Sequence, residues 1–303
     1  NEACASAPMS PSRTWAGIGY LILSMICFAV LDAIIKHLVN LLPMVMVLWF
    51  RYVVQAVSTS VTLWPRQGRS LLRTQQPRLQ VLRGFLLMMC SVLGFLSLQH
   101  MPLAEFAAIA LLTPLAVTVL SRILFKERIS PLRWVLILGG FAGAMMIVRP
   151  GGHLSGAVAM LPLTMVLFYT AFQLLTSHMA RTESPMTMHF YTGWVGTAAV
   201  SCLVYWHWTT DISPLNWALL VACGLLGSTA HYLFILAFAR VSPVRLSPFL
   251  YLQVVFSTLA GWVAFSFVPA GWGLVGMLLI MVCGAAAGWL NAREKAPPEL
   301  GPL

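Results

Sequence analysis

The sequence predicts an all-α, polytopic membrane protein: ten transmembrane helices arranged as two inverted five-helix repeats. Three observations lead there. Hydrophobic residues make up 59% of the 303 residues and charged ones only 9%, with mean hydropathy +0.85, whereas a soluble domain carries about 25% charged residues. Ten apolar runs of spanning length follow one another with short connections between them. The chain also matches itself when shifted by 140 residues.

A membrane-spanning helix needs about 20 mostly apolar residues. Such runs lie at 15–38, 43–63, 80–99, 103–121, 131–149, 154–177, 184–204, 214–238, 243–265 and 270–291. The connections carry Pro, Gly or charge, as at Leu42-Pro43, Met101-Pro102, Ser184-Pro185, Ser213-Pro214 and Ser242-Pro243. Their shortness makes successive helices antiparallel neighbours. The first run lacks a cleavage pattern and is followed by many others, so it reads as a span and not a removable signal. The chain divides into a cytoplasmic N-terminal tail (1–14), a first five-helix repeat (15–149), a second (150–293) and a cytoplasmic C-terminal tail (294–303).

The repeat is gapless. Leu21 meets Leu161, Phe28 meets Phe168, Phe50 meets Phe190 and Gly84 meets Gly224 at the 140-residue shift. Each half holds five spans, an odd number, so the second half enters from the opposite face and the halves are inverted. Many secondary transporters are built this way, with the solute site near the midplane between the repeats.

Charge sets the orientation. Alternate connections collect the basic residues: Arg66, Arg69, Arg73, Arg78 and Arg83; Arg122, Lys126, Arg128 and Arg133; Arg181; Arg240 and Arg245; Arg293 and Lys295. The opposite side receives Arg149. The positive-inside bias then places both termini in the cytoplasm of a cell with this chain in its inner membrane. The net charge of +10 is explained by the same bias, and no nucleic-acid motif accompanies it. The partners expected are the lipid bilayer and a small-molecule substrate, with the protein acting as a monomer.

Several function classes are disfavoured. The six cysteines are scattered without a CxxC and read as small buried hydrophobes, so no metal or cofactor is expected. No Walker motif provides for ATP drive. An intramembrane enzyme, such as a lipid-modifying transferase, needs paired carboxylates with a metal, or a nucleophile with its base. Only eight Asp plus Glu occur, and of these Asp32 and Glu105 alone reach membrane depth. A channel or structural membrane partner remains the alternative to a carrier.

One break stands out in the first half. Leu111-Leu112-Thr113-Pro114 puts a proline inside an apolar run, which ends at the charged turn Lys126-Glu127-Arg128-Ile129-Ser130. This proline-to-glutamate pattern closes a fourth helix. With Gly139-Gly140-Phe141-Ala142-Gly143 and Ala239-Arg240-Val241-Ser242-Pro243, it makes the chain resemble the EamA-type, ten-helix branch of the drug/metabolite transporter superfamily over about residues 15–291. Within that branch the chain looks most similar to the YddG-type amino-acid exporters. The second half departs from the pattern, having Val254 and Phe267 where the first has Pro114 and Glu127. The resemblance implies alternating-access export of small metabolites, with amino acids, aromatic or otherwise hydrophobic, as the load.

Candidate site residues fall in three sets. Asp32, Lys36 and Arg51 are ionisable groups inside spans, where charge is costly and rare. They are either a structural cluster or the groups that meet a substrate charge or coupling proton. The aromatic and amide residues Gln99, Tyr232, Tyr251, Gln253, Trp49, Tyr169 and Trp194 suit an amphipathic solute, though each is equally suited to gluing helices together. The resemblance implies that spans 3, 4, 8 and 9 line the cavity, which favours Gln99, Tyr232, Tyr251 and Gln253. The prolines Pro114 and Pro248 break spans 4 and 9, freeing carbonyls as ligands or hinge points.

Overall fold

The computed structural model describes residues 11–113, 115–116, 120, 131–148, 156–179, 182–238, 240, 249–250, 252–267 and 271–293. Among these residues lie ten α-helices. The first half contributes α1 (Pro11–Val39), α2 (Met44–Gln67), α3 (Pro77–His100), α4 (Leu103–Ala110) and α5 (Pro131–Val148). The second contributes α6 (Gly156–Met179), α7 (Pro185–Val204), α8 (Pro214–Phe238), α9 (Leu252–Phe265) and α10 (Trp272–Arg293). Two 3-10 segments, Gly68–Leu72 and Tyr205–His207, extend α2 and α7 at equivalent places. Among the described residues, four helical stretches are long and apolar enough to cross a bilayer by composition alone: Trp15–Val39, Met44–Leu72, Pro77–His100 and Pro214–Ala237. The outer surface is apolar, with Val61, Leu138, Leu167, Val263 and Val282 each more than half exposed, as a lipid-facing wall must be. Trp15, Trp206 and Trp272 are also exposed near helix ends, where amphipathic rings settle at an interface.

The 140-residue shift survives in the packing. Helix α2 packs on α7, α4 on α9 and α5 on α10, each with its own counterpart. Helix α1 packs on α8 and α3 on α6, two contacts that exchange under the same operation. That pattern is a pseudo-two-fold axis between the halves. The repeated glycine explains part of it. A Cβ on Gly84 of α3 would fall 2.7 Å from Cβ of Val195 in α7. Its counterpart Gly224 of α8 meets Val54 and, at 2.9 Å, the Phe50 carbonyl oxygen of α2. Small residues let backbones approach closely where lipid supplies no hydrophobic drive. Gly193 against Ala56 and Gly196 against the Tyr52 ring serve the α2–α7 contact in the same way.

The two ends of the bundle are closed by different chemistry. At the end bearing Arg66, Arg69, Arg73 and Arg78, the connection between α6 and α7 presents Glu183, which is 6% exposed. Its Oε1 accepts from Thr74 Oγ1 (2.8 Å) and from the backbone N–H of Gln75 (2.7 Å) and Gln76 (3.1 Å). These are free donors at the start of α3, where an anion is favoured. One turn into α3, Arg83 donates from Nε to Thr176 Oγ1 and from Nη1 to the Met188 carbonyl and Thr192 Oγ1, while lying over the Phe172 ring. At the other end α1 and α3 cap each other. Lys36 Nζ donates to the Leu98 and Met101 carbonyls, both at 2.7 Å, and Gln99 Nε2 donates to the Val39 carbonyl at 2.7 Å.

The break in the fourth span has a local explanation. Proline at 114 offers no N–H, which orphans the carbonyl of Ala110, four residues earlier. Helix α4 stops there: Leu112 N–H donates to Ile109 in 3-10 fashion, and Thr113 Oγ1 takes the Ala110 carbonyl at 2.7 Å. The expectation that this carbonyl is free to serve as a ligand is therefore corrected, because a neighbouring hydroxyl uses it. Pro114, Pro248 and Tyr251 themselves lie outside the described residues, as does Glu127.

Two predictions follow from the packing. Gly84→Val and Gly224→Val should each cost about 1–3 kcal/mol through overpacking, lowering the melting temperature in detergent. Gly19→Ala, with nothing within 4 Å of its Cβ, should be neutral or slightly stabilising. Equal melting of Gly84→Val and wild type would remove the close crossing. Glu183→Ala should speed hydrogen exchange at the Gln75 and Gln76 amides by about tenfold, since a lost charge-assisted bond is worth roughly 1.5–3 kcal/mol. Unchanged exchange at those two amides would show that the carboxylate does not hold the loop.

Candidate functional site

A cavity of about 210 Å³ opens between the halves. Its lining comes from α1, α2, α3, α4, α6, α8 and α9, so it is wider in origin than spans 3, 4, 8 and 9 alone. The lining respects the repeat. Met25 and Met165, Ser91 and His231, Gly94 and Phe234, Ala110 and Leu250, and Thr113 and Gln253 all face the cavity, and the members of each pair are 140 residues apart. The cavity thus sits on the pseudo-two-fold axis.

The charges break that symmetry. Asp32 of α1 and Arg51 of α2 both line the cavity, and Phe172 and Tyr191 stand at their shifted positions. Arg51 is 5% exposed and is held by both halves at equivalent points. Its Nη1 donates to Ser91 Oγ at 3.0 Å, and its Nη2 lies 3.2 Å from His231 Nε2. A guanidinium can only donate, so His231 accepts at Nε2 and carries its proton on Nδ1. Ser91 in turn donates to the Leu87 carbonyl. It therefore accepts from Tyr52 OH at 2.9 Å as well as from Arg51. The edge of Phe28 meets the His231 ring, centroids 5.0 Å apart. Arg51 Nε has no partner among the described residues.

The other candidates separate. Tyr169 and Gln253 join Asp32 and Arg51 in the lining. Tyr169 stacks on Phe172 at 5.8 Å, and Gln253 donates from Nε2 to Ser257 Oγ while its Oε1 is unpartnered. Lys36 and Gln99 are turned to the helix ends that they cap. Trp49 donates from Nε1 to Ser201 Oγ and packs edge-on to Phe50 and Trp208. Trp194 is 43% exposed and donates to Ser60 Oγ. Tyr232 lies next to His231 in sequence but outside the lining. Ser91, Phe28, Phe106 and Phe234 line the site without having been singled out. Their signal was the repeat itself, since Ser91 falls 140 residues before His231 and gives a polar pair in mid-span. Among the described residues no cluster of three His, Cys, Asp or Glu could hold a metal.

The model of the EamA-like transporter family matches residues 15–149 and again residues 155–286. The riboflavin transporter of Rhizobium johnstonii is 27% identical over 278 residues, 91% of this chain and 92% of that protein. The S-adenosylmethionine uptake transporter of Rickettsia felis is 26% identical over 268 residues, covering 88% and 90%. The pseudopaline exporter of Pseudomonas aeruginosa is 26% identical over 269 residues, covering 88% and 94%. A solved crystal structure superposes with a TM-score of 0.65 at 21% identity over 93% of this chain and 99% of that one, a likeness of fold. With both five-helix halves matched in turn and a shared cavity between them, the chain belongs to the EamA-like transporter family and is a multi-pass membrane transporter, not an enzyme.

Proposed function

We propose that this transporter exports an amino acid with an aromatic or other hydrophobic side chain, by alternating access of the two halves around the central cavity. The observation that carries the proposal is the pairing of Asp32 and Arg51 on one small cavity walled by Phe28, Phe95, Phe106, Tyr169 and Phe234. Arg51 offers a fixed cation for a carboxylate, Asp32 an anion for an ammonium, and the rings an apolar pocket for the side chain. The volume of about 210 Å³ is below the roughly 300–1,000 Å³ of pockets for drug-sized ligands, which favours a small solute in this conformation. The basic residues at one end support a cytoplasmic location for both termini. Pro114 and Pro248 are proposed as the hinge points of spans 4 and 9, and Asp32 as the group through which a proton is coupled, if one is.

Relatives named for riboflavin and S-adenosylmethionine support a second reading, in which the load is a larger metabolite admitted when the cavity opens. Their named directions also differ, uptake in one and export in another, so direction is part of the proposal.

Purified protein in liposomes should show saturable counterflow of labelled L-phenylalanine, competed by tyrosine, tryptophan and leucine. Asp32→Asn and Arg51→Gln should each cut the rate at least about tenfold, because a buried charge loses its partner, with melting temperature tracked in parallel. Counterflow of riboflavin or S-adenosylmethionine in place of any amino acid would replace the amino-acid reading with the second. Full activity in Asp32→Asn would take the aspartate out of the site. Normal transport by Pro114→Ala would end the hinge role and leave the carrier intact.

A further inference from the structure

Helix α2 carries Arg51, Gln55 and Thr59 at i, i+4 and i+8, a single stripe down one face. It is polar and deeply buried: Arg51 is 5% exposed, Gln55 0% and Thr59 3%. Facing it are Ser228 and His231 of α8, one turn apart, and His189 of α7, which is 4% exposed. The contacts along the stripe run from Arg51 Nη2 to His231 Nε2 at 3.2 Å, then Ser58 Oγ and Thr59 Oγ1 to Ser228 Oγ at 3.4 and 3.5 Å, then His189 Nε2 to Ser228 Oγ at 3.5 Å. All but the first sit at the long limit of a hydrogen bond.

Buried polar atoms find partners in folded proteins almost without exception. Here three do not. Arg51 Nε and both Gln55 amide atoms are buried and unpartnered. Gln55 is fully buried, so its unpartnered atoms face protein and not bulk solvent. The facing residue of α8 is Gly227, where even a Cβ would stand 3.7 Å from Arg51 Nε, so the opposite wall is low. Three unpaired donors and acceptors, a low wall and stretched contacts together describe a polar slot of the kind that internal water fills, bonded to two to four protein groups.

We infer that the Arg51–Gln55–Ser228–His189 stripe is a water file opening from the central cavity. Its ligand is water, bonded to Arg51 Nε, to the Gln55 amide oxygen and nitrogen, and to the Ser228 hydroxyl. The file gives His189 a hydrogen-bonded route to the cavity that direct side-chain contacts alone leave broken at Gln55. Water-linked titratable groups are what proton coupling requires of a carrier. The charged groups around the route are Arg51 and Asp32 at the cavity and Arg83, which bonds the backbone next to His189 at Met188. The inference uses the proposed site only as the mouth of the file and needs no solute.

Radiolytic hydroxyl labelling of the full chain in nanodiscs tests it, since activated bound water oxidises the side chains beside it whatever their bulk access. His189 and His231 should label, after correction for intrinsic reactivity, at least fivefold faster than Met46, which is 0% exposed in the apolar core. Gln55→Leu and, separately, Ser228→Ala should each lower His189 labelling at least threefold at unchanged melting temperature. If Gln55→Leu does not fold, Ser228→Ala and the wild-type comparison with Met46 decide. His189 labelling as slow as Met46, or labelling indifferent to the substitutions, would show the stripe to be dry and overturn the file. Counterflow in the same preparation reads the transport proposal separately, so either can fail alone.

Discussion

The Arg51 guanidinium is the constraint around which the centre of this molecule is built. Placing it at mid-depth in a bilayer costs roughly 3 kcal/mol or more, and removing a partner from a buried charge costs several more. The fold answers by bringing acceptors from both halves, Ser91 of α3 and His231 of α8, to positions 140 residues apart. One arginine from the first repeat therefore reads the relative placement of α2, α3 and α8 together. The glycines set the distance at which this is possible. Gly84 and Gly224 draw α3 to α7 and α8 to α2, and Gly227 leaves room beside Arg51 Nε.

Two-fold packing and one-sided charge serve different ends. A cavity walled by counterpart residues can be reached from either face by the same rearrangement, because each half offers the same surface to the other. A solute in a symmetric pocket has no preferred orientation. Asp32 and Arg51 come only from the first repeat and supply that preference. The ends are also unequal: carboxylate and guanidinium clamps bind α3 to the second half on the basic side, whereas α1 and α3 merely cap each other on the other. Opening the first end breaks several charge-assisted bonds between the halves. Opening the second can leave the Lys36 and Gln99 caps intact, since both partners belong to the first half.

The architecture was legible because a bilayer makes composition a direct reading of exposure: any run of about 20 apolar residues must be a helix with its backbone satisfied internally. The helix ends at Val39 and Met179 stand at the predicted spacing of 140 residues. Site residues were harder, because a polar side chain in a span serves equally as glue or as ligand, and helix spacing does not say which neighbour it faces. Lys36 and Gln99 show the difficulty. Both are rare polar groups in apolar runs, and both are consumed by free carbonyls at helix ends, a demand that arises only once α1 and α3 are side by side. Trp49 and Trp194 likewise went to hydroxyls on neighbouring helices. Ser91 was passed over as an ordinary small residue, although its pairing with His231 was already present in the shifted sequence.

The broken fourth span shows how the halves share a plan and diverge in use. Thr113 closes the carbonyl that proline at 114 leaves open, and its methyl and hydroxyl remain at the cavity wall. The counterpart of Thr113 is Gln253, and the counterpart of Pro114 is Val254, which carries an N–H. The second half has no orphaned carbonyl to close at this point. Gln253 is accordingly free to turn its amide toward the cavity, where its Oε1 has no protein partner. The same wall position thus performs backbone repair in one repeat and offers a hydrogen-bond acceptor in the other, and the cause is a single proline one residue further on.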